Sequence, residues 1–170
     1  MQGAEALHGS MRIDLTDLRS GDVDWLVERH GTLYARDEGF DARFPALVRQ
    51  VLEAFVAGHD PKRERAFIAR SGERRLGSIF CVQGPEPGVA KLRLFLLEPG
   101  MRGQGLGRRL LAANMEFARD AGYRCMVLWT HESHRAAVAL YRRTGWRLVQ
   151  AEPRVSFGVP VVEQHWEIDL

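Results

Sequence analysis

The chain has 170 residues, 45% of them hydrophobic and 27% charged, with a formal net charge of +2 and two cysteines. That length suits one domain with its own core, and its apolar runs fall far short of the roughly 20 residues a membrane span needs, so no membrane partner is expected. A charge of +2 is too small to argue for nucleic acid, and no Cys/His spacing reads as a metal site.

Residues 1–10 carry no basic-then-apolar leader and read as a disordered extension, with 11–170 as a single domain. A first strand is expected over Arg12–Leu15, and a helix from Asp22 to about Tyr34 with Trp25, Leu26 and Leu33 on its apolar side. Phe44, Leu47, Val48, Val51, Leu52, Phe55 and Val56 follow the i, i+3, i+4, i+7 rule of a second helix, which Gly58 ends. Arg65–Arg70 and Arg75–Val82 flank the turn Ser71-Gly72-Glu73 as a hairpin. After a Gly/Pro loop at 83–88 come a strand at 90–97, a helix at about 104–121 and a strand over Arg124–Thr130. Ser133 is a plausible N-cap for a helix over 134–143, and Gly145 closes it. Trp146–Ala151 and Val161–Asp169 read as the last strands, with Pro153 and Pro160 bounding a loop between them. The order β, α, α, β, β, β, α, β, α, β, β predicts an α/β (α+β) domain, with a mixed sheet that is antiparallel early and has helices on both faces. Cys81 and Cys125 lie in strand-like runs, as small buried thiols in a reducing, cytoplasmic setting would.

Arg102-Gly103-Gln104-Gly105-Leu106-Gly107 stands where the strand Lys91–Leu97 gives way to a helix. A helix start offers unpaired N–H groups and the positive end of the macrodipole, and glycines let an anion approach that backbone closely. The segment therefore reads as a phosphate cradle. A dinucleotide fingerprint would need glycine at 108, which is Arg108. A nucleotide-triphosphate loop would need Lys-Ser/Thr after the turn, where Arg108-Arg109 stands.

Arg102, Gly105 and Gly107 fit the pattern Arg/Gln-x-x-Gly-x-Gly/Ala, and Ala137 to Trp146 reads as a helix ending in Leu-Tyr-x-x-x-Gly-aromatic. In these residues, and in element order over roughly 11–170, the chain resembles the GNAT superfamily of acyl-CoA-dependent N-acetyltransferases. His30 to Arg36, Leu128-Trp129-Thr130, Phe157-Gly158 and Trp166 to Leu170 further resemble the acetyltransferase half of proteins fused to a winged-helix regulator. No winged-helix domain fits in this chain, so it would be the catalytic module standing alone. The resemblance implies a mostly antiparallel sheet of about seven strands with a V-shaped splay between strands 4 and 5. It implies acetyl-CoA as cosubstrate, with no metal. Backbone N–H groups of Gly103, Gln104, Gly105, Leu106, Gly107 and Arg108 would hold its pyrophosphate, and Arg102 would add a charge-assisted contact. Backbone groups at Leu96 and Leu97 would pair with the pantetheine arm. His134 occupies the position of a family asparagine and would donate to a pantetheine carbonyl. Tyr141 would protonate the leaving thiolate, its reference pKa near 10 keeping it protonated at neutral pH.

A general base for the attacking amine has no motif; Glu28, His30, Asp37, Glu38 and His131 are candidates beside a water chain. His30 and Tyr34, one helical turn apart, and Trp129 are weaker candidates for the acceptor pocket. The expected acceptor is a primary amine of a small molecule or peptide. The alternative is a non-catalytic acyl-CoA sensor; a structural protein–protein module would leave the glycine turn without a purpose. The apolar final strand, Val161 to Ile168, is a candidate edge for pairing into a homodimer.

Overall fold

The computed structural model describes residues 11–170. The expected extension at 1–10 lies outside the described residues. In chain order the elements are β1 (Asp14–Thr16), α1 (Asp22–Glu38), α2 (Arg43–Gly58), β2 (Arg65–Ser71), β3 (Arg74–Gln83) and β4 (Val89–Leu97), then a 3₁₀ turn at Pro99–Met101. α3 (Leu106–Asp120), β5 (Cys125–His131), α4 (Arg135–Arg143), β6 (Arg147–Ser156) and β7 (Val159–Asp169) follow. The seven strands form one sheet in the order β1-β2-β3-β4-β5-β7-β6. Every pairing is antiparallel except β4 with β5.

Alternation along the strands feeds two cores, one per face. On one face Leu76, Ile79 and Cys81 of β2's neighbour β3 pack with Leu92, Met126, Leu128 and Trp166 under Leu110 and Leu111 of α3 and Val138 of α4. On the other, Ala66, Ile68 and Phe80 pack under Leu26 of α1 and Val48, Leu52 and Phe55 of α2. Each fully buried large apolar side chain contributes about 1.5–3 kcal/mol.

Three polar anchors hold α1 across the sheet. At its N-terminus the fully buried Asp22 accepts from Arg75 at 2.7 Å, from the Arg19 N–H at 2.6 Å, and from Arg70. Burial alone would raise the Asp22 pKa; hydrogen bonds from the two guanidinium groups outweigh it and hold the carboxyl below its ordinary value of 3.8. In mid-helix, Arg29 donates two bonds to Glu98, at 2.6 and 2.8 Å, just past the end of β4. At the C-terminus, Glu38 accepts from the Ser133 hydroxyl at 2.6 Å and meets His134 Nε2 at 3.1 Å. α1 thus runs from β2 and β3, past the end of β4, to the β5–α4 turn.

Four expectations are corrected. α1 continues past Tyr34 to Glu38, where Gly39, at φ +75°, caps it by donating its N–H to Ala35 O. Ser133 does not cap α4; its hydroxyl is spent on Glu38, and His134 stands at the cap position without a side-chain bond to the helix. No loop separates the last strands at Pro153 and Pro160. β6 runs through Pro153 to Ser156 and turns at Phe157-Gly158 into β7. Proline is tolerated there because β6 is the outer strand of the sheet, where a missing donor leaves no neighbour unsatisfied. For the same reason the final strand is not an edge: β7 lies between β5 and β6, so its ladder positions are taken within this chain.

Candidate functional site

β4 and β5 stay paired only over Val89–Lys91 and Cys125–Val127. Beyond that point they part. A bulge sets the parting: Phe80 faces Arg93 but Ser78 faces Leu96, so β4 carries one extra residue between these pairs. Leu94 takes up the surplus at φ +49°, and the Ser78 hydroxyl donates to its carbonyl at 2.7 Å. A left-handed non-glycine residue costs about 1–2 kcal/mol, which this bond and the burial of Leu94 beside Phe80 offset. Leu96 and Leu97 therefore pair with Ser78 and Gly77 of β3 while their other side faces the gap. Leu96 itself is buried, a core side chain with only its backbone on offer.

α3 starts at one wall of this gap. Gly103 and Gly105 sit at φ +74° and +83°, with open space where a Cβ would stand. Here glycine is required by conformation, not by crowding. Among the described residues, no N–H from Gly103 to Arg108 meets an acceptor in hydrogen-bonding geometry; the first that does is Arg109, on Gly105 O. Six donors at the positive end of a 15-residue helix suit a diphosphate. Leu106 and Gly107 are buried, whereas Gln104 bonds back to Gly100 O at 2.7 Å and Arg108 is exposed. Arg102 leans away toward Asp37, at 3.4 Å.

Tyr141 comes from α4, 3% exposed and packed among Phe95, Trp146 and Trp166. Its hydroxyl bonds to no described group. Desolvation, and then the neighbouring Tyr34, push its pKa above the ordinary phenol value.

The opposite wall is aromatic. Tyr34 stands edge-on to His134 at 5.0 Å and against Phe44 at 4.4 Å. Phe40 contacts His131 at 5.4 Å and Phe157 at 5.1 Å. The Asp41 N–H donates to Phe157 O, joining the α1–α2 corner to the β6–β7 turn. Burial raises the Tyr34 phenol to about 12 and the Glu38 charge adds to it. His134 is held at both nitrogens, by Glu38 and by the Thr130 hydroxyl at 3.2 Å. Burial lowers its pKa and Glu38 pulls it partway back.

The structure brings together Tyr34, Glu38, His131 and His134 at the gap and sends the other base candidates elsewhere. Glu28 is exposed and Asp37 is engaged by Arg36 and Arg102. His30 is 1% exposed, its Nδ1 on Leu26 O at 2.7 Å and its Nε2 sealed without a partner. Desolvation pushes its pKa down to about 4, so it is neutral at pH 7. Trp129 is 58% exposed, stacked on His165 at 4.9 Å with the Lys91 ammonium 3.8 Å from its ring centre. Sequence reading missed Lys91 and Arg93 of β4, although two cations alternating with Ala90 and Leu92 mark a strand with one polar face. Hollows of about 540 and 510 Å³ lie elsewhere and touch neither the glycine turn nor Tyr141. No group of three metal-ligating side chains occurs among the described residues, and none of their helices is long and apolar enough to cross a membrane.

A sheet notched between two parallel strands, with an open helix start at the notch, is an architecture shared with solved acetyltransferases. A GNAT-family acetyltransferase from Staphylococcus aureus superposes with a TM-score of 0.73 at 11% identity, covering 93% of this chain and 99% of that one. The spermidine N-acetyltransferase of Vibrio cholerae gives 0.71 at 16%, covering 92% and 95%. Residues 25–146 match the Acetyltransferase (GNAT) family, and the chain belongs to it. Among its relatives, N-acetyltransferase 8B of Rattus norvegicus is 36% identical over 99 residues, which is 49% of this chain and 45% of that protein. Mycothiol acetyltransferase of Rhodococcus jostii is 31% identical over 85 residues, 48% and 28% respectively. The chain thus spans less than half the length of these two relatives.

Proposed function

We propose that this chain is an N-acetyltransferase that moves the acetyl group of acetyl-CoA directly to the amine of a small molecule or peptide, with Tyr141 as general acid. The observation that carries the reading is the meeting of three features at one gap: unpaired N–H groups at 103–108, a stretch of β4 backbone that β5 leaves unpaired, and the Tyr141 hydroxyl, which bonds to no described group. Acetyl-CoA supplies a diphosphate and an acyl thioester. The N–H groups of 103–108 hold the first, and β4 backbone at Leu96 and Leu97 orients the arm that joins them. Tyr141 holds a proton at its phenolic oxygen throughout the neutral range, because burial disfavours the phenolate. As the C–N bond forms and the C–S bond breaks, that proton passes to sulfur. The amine's own proton leaves by water or by His131, whose lowered pKa keeps it neutral and able to accept.

His134 replaces the amide expected from the family resemblance. With both nitrogens committed to Glu38 and Thr130, it acts here as a clasp on the end of α1. The finer likeness to regulator-fused acetyltransferases rests on His30 to Arg36, Leu128-Trp129-Thr130, Phe157-Gly158 and Trp166 to Leu170, of which Tyr34 and Phe157 belong to this wall.

The test is acetyl-CoA-dependent thiol release across an amine panel with Tyr141→Phe. The variant is expected to lose at least tenfold in kcat while binding CoA as the wild type does. Undiminished turnover would remove Tyr141 from the role, and CoA binding without thiol release from any amine would favour a sensor.

A further inference from the structure

On the face of the sheet opposite α3 and α4, strand register places side chains of four strands in one field. Lys91 and Arg93 of β4 lie on the same face as Phe80 and Val82 of β3, which pack in the α1–α2 core. Across the point of parting, Lys91 pairs with Val127, which puts Val127, Trp129 and His131 of β5 on that face as well. Trp129 faces His165 of β7, His131 faces Glu163, and Val127 faces Glu167. The helices cover the β2–β4 half of this face; Trp129, at 58% exposed, shows the β5 half is open.

The charges in this field do not cancel. Glu163 holds His165 at 3.0 Å and Arg154 at 3.5 Å, and Glu167 holds Arg147 at 3.2 Å. Among the described residues, neither Lys91 nor Arg93 has a carboxylate within 4.0 Å, and the Arg93 guanidinium makes no hydrogen bond at all. Arg93 is half-buried, and burial lowers its pKa; Lys91 is pushed down to about 8 by burial and then by the Arg93 charge, which the Glu163 carboxylate only partly offsets. Two like charges held side by side in a partly desolvated strand are unfavourable unless an anion joins them. A guanidinium presents a fork that matches a carboxylate with two parallel bonds.

We infer that the acceptor is an amine that also carries a carboxylate, and that Arg93, assisted by Lys91, holds this carboxylate beside Trp129. This rests on the acetyl-transfer reading above and specifies its acceptor. A polyamine is disfavoured, because its distal ammonium would face Lys91 and Arg93. Arg93 is a specificity residue, since it touches the end of the acceptor remote from the reacting nitrogen.

The experiment measures thiol release from acetyl-CoA with the proteinogenic L-amino acids, their carboxamides and spermidine. The carboxamides have the less basic amines, so chemistry alone favours them. The wild type is expected to prefer the acid over its amide at least tenfold in kcat/KM, with the difference mainly in KM. Arg93→Met should bring that ratio close to one, and Arg93→Lys should restore part of it. Each ratio is taken within one preparation, so loss of folded protein does not distort it. Equal use of acid and amide, a preference for spermidine, or a ratio unmoved in Arg93→Met would overturn the inference while leaving acetyl transfer standing. Thiol release from none of these amines would overturn the inference, and silence extending to peptide amines as well would overturn acetyl transfer with it.

Discussion

Asp22→Asn removes one charge and changes almost no volume, so it isolates what the anchor at the start of α1 contributes. The carboxylate is fully buried between Arg70, whose side chain is 4% exposed, and Arg75, at 29%. Without it, Arg70 keeps a buried positive charge answered only by neutral acceptors, the amide oxygen left at position 22 and Thr16 Oγ1, at 2.8 Å. Breaking a buried pair by removing one partner costs about 3–5 kcal/mol. Arg75 can turn to water, so the lower figure applies here, about 3 kcal/mol. For a domain of this size that is a fall in Tm of roughly 6–12 °C. The pH dependence has a definite sign. The folded carboxyl titrates below its ordinary 3.8, so its stabilisation is complete above that value and is lost as pH falls through the lower, folded pKa. Urea midpoints of the two proteins should differ fully at pH 7 and converge below pH 3.8. A Tm within 2 °C of wild type at pH 7, or a gap that widens in acid, would refute the account.

His30 should govern a separate acid limb. Its folded pKa of about 4 lies below the ordinary 6.5, so its contribution is complete above pH 6.5 and is lost progressively toward pH 4, by up to about 3 kcal/mol. His30→Gln should flatten the stability profile across that window, and an unchanged slope would assign it to other groups. Gly77→Ala would set a Cβ 2.6 Å from Leu96 O, at the bulge that parts β4 from β5. It is expected to cost more than about 2 kcal/mol and to weaken CoA binding, measured by chemical denaturation and calorimetry. Gly58→Ala, with nothing within 4 Å of the new methyl, serves as its control and should be neutral or mildly stabilising.

Element order was legible because each element announces itself locally. The 3.6-residue rhythm of α2, the Ser71-Gly72-Glu73 turn and the apolar run of β4 depend on neighbours a few residues away. The errors fall where a distant strand decides. Pro153 reads as a loop until β6 is known to be the outermost strand. Ser133 reads as a cap until Glu38, 95 residues earlier in the chain, takes its hydroxyl. Leu47 and Val56 fit the helical stripe of α2, yet they lie 41% and 57% exposed, because only Val48, Leu52 and Phe55 reach the sheet. The glycine turn and Tyr141 stand out in the sequence because each lies in a short pattern. The field around Arg93 could not, since it exists only once β5 lies beside β4 and β7 is inserted between β5 and β6.

The hydrogen bond from Asp41 to Phe157 also fixes an order of events during synthesis. The corner at 39–44 cannot close on the β6–β7 turn until residue 157 has left the ribosome. The helix bearing Tyr141 is complete 14 residues earlier, at Arg143. At about 5–20 residues per second, that interval is roughly one to three seconds. The aromatic wall of the gap is therefore completed later than α4 on a nascent chain. Until then, the parted edges of β4 and β5 are open to any extended segment that arrives first.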